Sequence, residues 1–239
     1  MLSLSKQARG IGSMPDIGSG LLAVPNLDMD LNSDTDALLV IDVQNDFCPG
    51  GALAVAGGDQ VVPVLNTLAR KFAHVVLTQD WHPAGHISFA SAHPGAQPYT
   101  TITVAYGEQT LWPDHCVQDT TGAAFHPALS IPHAEHIVRK GFRKDIDSYS
   151  AFIENDHLTP TGLEGYLREH GITRVFVCGL AYDYCVRFSA IDGTALDFEC
   201  FVIEDASRAV DLPGSVEAAD QAFEEAGIQR IKAADLLTP

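Results

Sequence analysis

From residue 36 onward, short apolar runs alternate with amphipathic stretches. The run ALLVIDV at 37–43 has no polar position before Asp42, the mark of a strand buried on both faces. Residues 60–71 follow with apolar positions at Val61, Val64, Leu65 and Leu68, the spacing of one helical face. The same reading predicts strands at 75–78, 136–139, 174–178, 199–203 and 229–232, and helices at 161–170, 184–196 and 216–226. Gly171 and Gly227 stand just past two of these helices as stop signals. Strand 174–178 is expected to break at Gly179, with a helix beginning near Asp183. Such alternation predicts an α/β fold: three layers, α/β/α, around a central, mostly parallel sheet with right-handed crossovers.

Two stretches depart from the alternation. Residues 80–133 show little periodicity, and a connection that long is usually functional. Residues 1–33 read as an N-terminal extension, an arm or tail able to pack on a neighbouring subunit of a homo-oligomer. They lack a sustained hydrophobic core for secretion, and Asp16, Asp28 and Asp30 speak against a transit peptide. Residues 34–239 are then a single domain.

Charge narrows the partners. The chain of 239 residues carries 14 basic and 31 acidic side chains, a net charge of −17, which argues against nucleic acid and anionic membrane surfaces. No apolar stretch is long enough to span a bilayer. Five widely spaced cysteines suit a reducing, cytoplasmic setting better than a disulfide framework.

The first candidate chemistry is at strand ends. Cys185 closes VCGLAYDYCV, where a strand gives way to the first turn of a helix. Unpaired N–H groups and the macrodipole there favour a thiolate and can hold an oxyanion. Asp42 ends the run at 37–43, where open parallel sheets place their ligands. Lys140 follows the strand at 136–139. Each residue alone has a bland explanation: a core cysteine, a turn-forming Asp and a solvated Lys. Together, a carboxylate, an ammonium and a thiol at three strand ends form an activated-nucleophile set.

The second candidate is a metal loop. TQDWHPAGH leaves the strand at 75–78 and puts Asp80 and His82 on one short stretch, with His86 close behind. Oxygen and imidazole ligands together suit zinc, iron or manganese. His115, in LWPDHC, can return as a third ligand; His86 is the weaker candidate. The other seven His residues read as surface.

In order, IDVQNDFCPGGALAVAGG, TQDWHPAGHISFA, LWPDHC, RKG and VCGLAYDYCV resemble the nicotinamidases of the isochorismatase-like cysteine hydrolases. The resemblance covers about residues 36–231. The wider superfamily keeps the first and last motifs without the Asp-x-His loop, so that loop is the specific signal. What the resemblance implies is the isochorismatase-like hydrolase fold and deamidation of nicotinamide to nicotinate and ammonia through a thioester. Asp42 would be the general base, Cys185 the nucleophile, and Lys140 the group that orients them. Asp80, His82 and His115 would bind one divalent metal, zinc ahead of iron or manganese, that holds the pyridine nitrogen. A cis peptide would join Leu180 to Ala181, and the N–H groups of Ala181 and Cys185 would form the oxyanion hole. Phe47, Trp112 and Tyr149 would flank the ring. Tyr182 departs from the pattern, standing on the expected pocket rim where many members have something smaller.

Two other classes stay open at this point. A related cysteine amidase or hydrolase acting on another small amide, such as a pyrazinamide-like or other heteroaromatic amide, would keep the fold and the thiol. A catalytically dead scaffold would tolerate loss of Asp42, Lys140 or Cys185, yet all three are present.

Overall fold

The structure, a computed structural model, describes residues 29–237. In chain order its elements are β1 (Asp36–Ile41), α1 (Val61–Leu68), β2 (His74–Asp80), β3 (Thr101–Val104), β4 (Gly107–Thr110), β5 (His136–Lys140), α2 (Leu163–Glu169), β6 (Arg174–Leu180), α3 (Arg187–Ala195), β7 (Glu199–Arg208), α4 (Ser215–Glu225), β8 (Gln229–Ile231) and α5 (Ala233–Leu237).

Six strands form one sheet in the order β5-β2-β1-β6-β7-β8, and every neighbouring pair is parallel. All six residues of β1 are buried, as its unbroken apolar run requires. Alternate side chains face two separate cores. Leu38, Val40 and Leu77 pack with Val61, Leu65 and Leu68 of α1 and Leu236 of α5. Leu39, Ile41 and Val177 pack on the other face with Leu163 and Leu167 of α2, Ala190 of α3 and Phe223 of α4. The three layers expected from the sequence are therefore present, with the sheet in the middle.

Several boundaries differ from expectation for identifiable reasons. β6 does not break at Gly179 but runs on to Leu180. Gly179 has φ +116°, and a Cβ there would sit 2.3 Å from the Ile41 carbonyl oxygen. The glycine thus lets β1 and β6 approach closely; it does not end the strand. The helix expected at 184–196 starts earlier, as a π-helical turn over Tyr182–Val186, and continues as α3. The stretch 80–133 contains an antiparallel hairpin, β3–β4, that its mostly polar residues conceal. α5, only five residues long, was not foreseen.

Of the expected extension, only 29–33 fall among the described residues, and they pack on this chain itself. Met29 is buried and Leu31 lies against the same core. Arg174 Nη2 donates to the Asp30 carbonyl at 2.8 Å, and its guanidinium pairs with buried Asp36. All five cysteines are free and buried. No helix among the described residues is long and apolar enough to cross a membrane.

The Gly179 contact yields a stability test. Gly179→Ala should cost at least about 2 kcal/mol, because overpacking and positive φ act together. Gly165→Ala, in open space on α2, should be neutral or stabilising by up to about 1 kcal/mol. Urea unfolding of both variants measures the contrast, and equal effects would remove the close approach as the reason for Gly179.

Candidate active site

The chain runs from β1 outward to β2 and β5, then crosses back to β6 on the other side of β1. The switch point therefore lies between β1 and β6, where open sheets form their ligand crevice. Asp42 follows β1 there with φ 47°, a left-handed conformation that Asp adopts more readily than most residues. Parallel register pairs Asp80 of β2 directly with Lys140 of β5, which puts the two side chains on the same face.

Lys140 is fully buried and is the hub of the site. Its Nζ lies 2.8 Å from Asp42 Oδ2, donates to Asp80 Oδ1 and to the Ser148 carbonyl at 3.0 Å, and reaches Cys185 Sγ at 3.4 Å. Burial disfavours its charge, but Asp42, Asp80 and Cys185 outweigh it and hold the ammonium well above the usual lysine range.

The two carboxylates around that ammonium have opposite proton affinities. Burial pushes the Asp42 carboxyl from 3.8 up to about 6; Asp80 adds to the rise and Lys140 opposes it. Thr78 Oγ1 donates to Asp42 Oδ1 at 2.6 Å. Asp42 Oδ2 has no hydrogen bond beyond its ion pair with Lys140, leaving a lone pair for a proton. Burial acts on Asp80 too, yet Lys140 and the neighbouring His115 and His82 imidazoles bring it well below the usual range. Of two carboxylates on one cation, one holds a proton more readily and the other stays ionised.

Cys185 sits in the π-helical turn, where the N–H groups of Tyr184 and Val186 both donate to the Ala181 carbonyl, at 3.1 and 3.0 Å. Ser189 Oγ donates to the Cys185 carbonyl at 2.6 Å. Asp183 ties the turn to the loop before α4, accepting from Val210 N, Asp211 N and Ser215 Oγ. The Leu180–Ala181 peptide is cis, as the resemblance implied. One expectation fails. The thiol is not biased toward thiolate: burial drives it well above its usual value, and Asp42 and Asp80 reinforce that against Lys140. A buried thiol beside two carboxylates ionises only if a base takes its proton. Asp42 and Cys185 offer their reactive atoms within 4.8 Å of each other.

Asp80 also joins the second group. Its Oδ2 lies 3.6 Å from His82 Nε2 and 3.8 Å from His115 Nε2, near the roughly 3.4 Å edge that ligands about 2.1 Å from a tetrahedral ion define. His82 Nδ1 faces the Gly141 carbonyl at 2.9 Å, and His115 Nδ1 faces the Pro113 carbonyl at 2.8 Å. Carbonyls only accept, so each Nδ1 carries the proton and each Nε2 presents a lone pair, the posture of metal-binding imidazoles. The donor set and its spacing fit one divalent ion. His86 is placed differently. Its ring lies over His82 with centroids 4.3 Å apart, and its Nε2 donates to the Arg143 and Ile146 carbonyls. It backs His82 and offers this cluster no lone pair from Nε2.

Cys185 and this cluster open on one cavity with about 350 Å³ of space, its mouth included, and Asp42 and Lys140 lie behind its wall. Phe47, Trp112 and Tyr149, the three aromatics expected around a ring, all line it. Trp112 Nε1 and Gln109 Nε2 both donate to Tyr149 Oη at 3.1 Å, and Gln109 Nε2 also donates to Asp147 Oδ2. Gln109 belongs to β4, so the hairpin anchors this wall. Tyr182 is not on the rim; it turns away, donating to Asp220 at 2.6 Å and packing on Phe223. The rim residue is Tyr184, which sequence reasoning missed although it lies beside Cys185. Thr78 and Gln44 were missed too. Gln44 exchanges hydrogen bonds with both the N–H and C=O of Asp80, and its polarity two residues past Asp42 was the available signal.

Residues 36–237 match the isochorismatase domain. The chain belongs to the isochorismatase family. Within that family it is 53% identical over 201 residues to the nicotinamidase of Acinetobacter baylyi, covering 84% of this chain and 94% of that one. PnC1 from L. infantum, solved in complex with nicotinate, is 37% identical with a TM-score of 0.76, over 87% of this chain and 97% of that one. The pyrazinamidase of Pyrococcus horikoshii, solved in complex with zinc, is 36% identical with a TM-score of 0.68, over 82% of this chain and 98% of that one.

The cluster geometry of this isochorismatase-family chain predicts metal content. Purified protein should hold about one divalent ion per chain, and Asp80→Ala, His82→Ala and His115→Ala should each lose most of it, since every ligand is needed to close the set. His86→Ala should retain the ion more fully than those three. Elemental analysis after dialysis is the measurement; full occupancy in the three ligand variants would place the metal elsewhere.

Proposed function

We propose that this chain is a nicotinamidase, hydrolysing nicotinamide to nicotinate and ammonia. The observation that carries the reading is the sharing of Asp80. One of its oxygens faces the Asp42–Lys140–Cys185 set and the other faces His82 and His115, on a single small aromatic-walled cavity. A carboxamide on a flat ring with one ring nitrogen spans those two centres. The likeness to nicotinamidases, and to a relative that binds nicotinate, supports the same substrate.

In this reading Phe47, Trp112 and Tyr149 hold the ring, and the amide carbonyl carbon faces Cys185. Asp80, His82 and His115 would hold a divalent ion, which would supply a Lewis-acid contact for the pyridine nitrogen, and the zinc-bound relative favours zinc. Asp42 takes the thiol proton as Sγ forms its bond to the carbonyl carbon. The N–H groups of Ala181 and Cys185 receive the resulting oxyanion. Asp42 returns the proton to the amide nitrogen, the C–N bond breaks and ammonia leaves a thioester. Water then attacks the thioester with one proton going to Asp42; the C–S bond breaks, Asp42 returns that proton to sulfur, and the acid formed loses its own proton to ammonia or solvent and departs as nicotinate. Lys140 keeps its charge throughout and offsets the negative charge that moves between Asp42 and sulfur.

Cys185→Ala should abolish ammonia release while leaving the fold intact. Asp42→Asn should lower kcat by about 10²–10⁴, the range of general acid–base catalysis. Comparable turnover in Cys185→Ala would end the covalent mechanism.

The pH profile follows from the same groups. Asp42 must be ionised to accept a proton, so kcat/KM should fall as pH drops through about 6, the value to which burial raises it. The apparent value belongs to the coupled set, not to Asp42 alone. With the thiol and Lys140 both raised, neither should produce an alkaline limb below pH of about 9. A profile flat down to about pH 4, the ordinary range of an exposed Asp, would remove Asp42 as the base.

Benzamide separates this reading from a general amidase. It keeps the shape and the amide but has no ring nitrogen, so it should be turned over at least about a hundredfold less efficiently in kcat/KM through lost positioning. Equal efficiency in the metal-loaded enzyme would leave a cysteine hydrolase and overturn the nicotinamide assignment.

A further inference from the structure

The catalytic cavity shares a wall with a second, larger opening. This outer cleft holds about 1150 Å³, its mouth included, between the β3–β4 hairpin, the start of α3 and the loop into α4. Tyr149 and Tyr184 are the residues that line both spaces. They are held very differently. Tyr149 is fixed by the two hydrogen bonds its hydroxyl accepts from Trp112 and Gln109. The Tyr184 hydroxyl has no hydrogen bond among the described residues. Its half-buried ring rests edge-on against Trp112 and Tyr149, with centroids 4.8 and 5.5 Å away. Beyond it Tyr99, Phe188, Leu212 and Pro213 give the cleft an apolar side that suits a flat group, alongside a polar lining that includes Glu108 and Arg187.

We propose that Tyr184 is a specificity-determining residue, a partition that limits the substrate to a bare ring, and that the outer cleft is a subsite for an aromatic extension of that ring. The inference rests on the nicotinamidase reading. Removing the Tyr184 ring joins the two spaces at their shared wall. The amide can then stay against Cys185 while a substituent passes into the cleft.

The test compares kcat/KM for nicotinamide, 5-phenylnicotinamide and 6-phenylnicotinamide. Tyr184→Ala should raise the phenyl-to-nicotinamide ratio by at least about tenfold for one isomer, a modest gain for admitting a whole ring where single methylenes already matter. Tyr184→Leu should move the ratio the same way and keeps an apolar side chain if the Ala variant folds poorly. Tyr184→Phe, which retains the partition, should keep the wild-type ratio. Thr101 is an exposed hairpin residue facing the cleft, and Thr101→Trp added to Tyr184→Ala should fill the cleft and take most of the gain back. A gain below about tenfold for both isomers in both Tyr184→Ala and Tyr184→Leu overturns the partition, on the same size-discrimination scale. A gain that Thr101→Trp leaves intact overturns the subsite. Wild-type enzyme without activity on nicotinamide would instead overturn the reading on which the inference rests.

Discussion

One fully buried ammonium organises this site. Lys140 is shut off from bulk solvent and lies among two carboxylates, a carbonyl and a thiol. An isolated charge at that depth costs several kcal/mol, and so does each carboxylate without its cation. Asp42, Asp80 and Lys140 are therefore tolerated only as a set. The sheet supplies the geometry: β5, β2, β1 and β6 stand side by side, so their carboxyl ends deliver Lys140, Asp80, Asp42 and the Cys185 turn in a row.

The set carries more negative than positive charge, and how that excess is resolved gives each acid its part. Asp80 receives Lys140 on one oxygen and faces two imidazoles with the other, so it stays ionised. Asp42 has only Lys140 and the neutral Thr78 hydroxyl, with Asp80 as a repelling neighbour, so it holds a proton more readily. Neither carboxylate differs in kind; their neighbours differ. Gly141 links the two halves. Its carbonyl fixes His82, while its φ of +63° and the His82 ring, 2.4 Å from where a Cβ would be, leave no room for a side chain.

Much of this was legible because the signals were local. Asp42, Lys140 and Cys185 each end an apolar strand, and strand ends in a parallel sheet converge whatever the details of the connections. The Asp-x-His spacing likewise placed Asp80 and His82 together. What stayed hidden depended on long-range packing. The thiol's resistance to ionisation comes from burial and from Asp42 and Asp80, which no reading of the helix start at 182–186 contains. Tyr182 and Tyr184 are two residues apart in an irregular π-helical turn, and only the turn decides which one faces the pocket. Gly179 looked like a breaker because its partner, the Ile41 backbone, is remote in sequence. The hairpin was invisible because its strands are short, polar and only partly buried.

That hairpin divides labour within the fold. The reacting groups stand on the sheet or in the turn leaving it, whereas the aromatic wall is steadied through Gln109 from β4, a small two-stranded unit outside the sheet. Among the described residues the hairpin reaches the aromatic wall through Gln109 and meets the charged row only indirectly, by way of Asp147 and Ser148. No member of the row, by contrast, can change alone. Such an arrangement lets a lineage explore new substrates at constant chemistry, and it marks the hairpin as the place where divergence among relatives should collect.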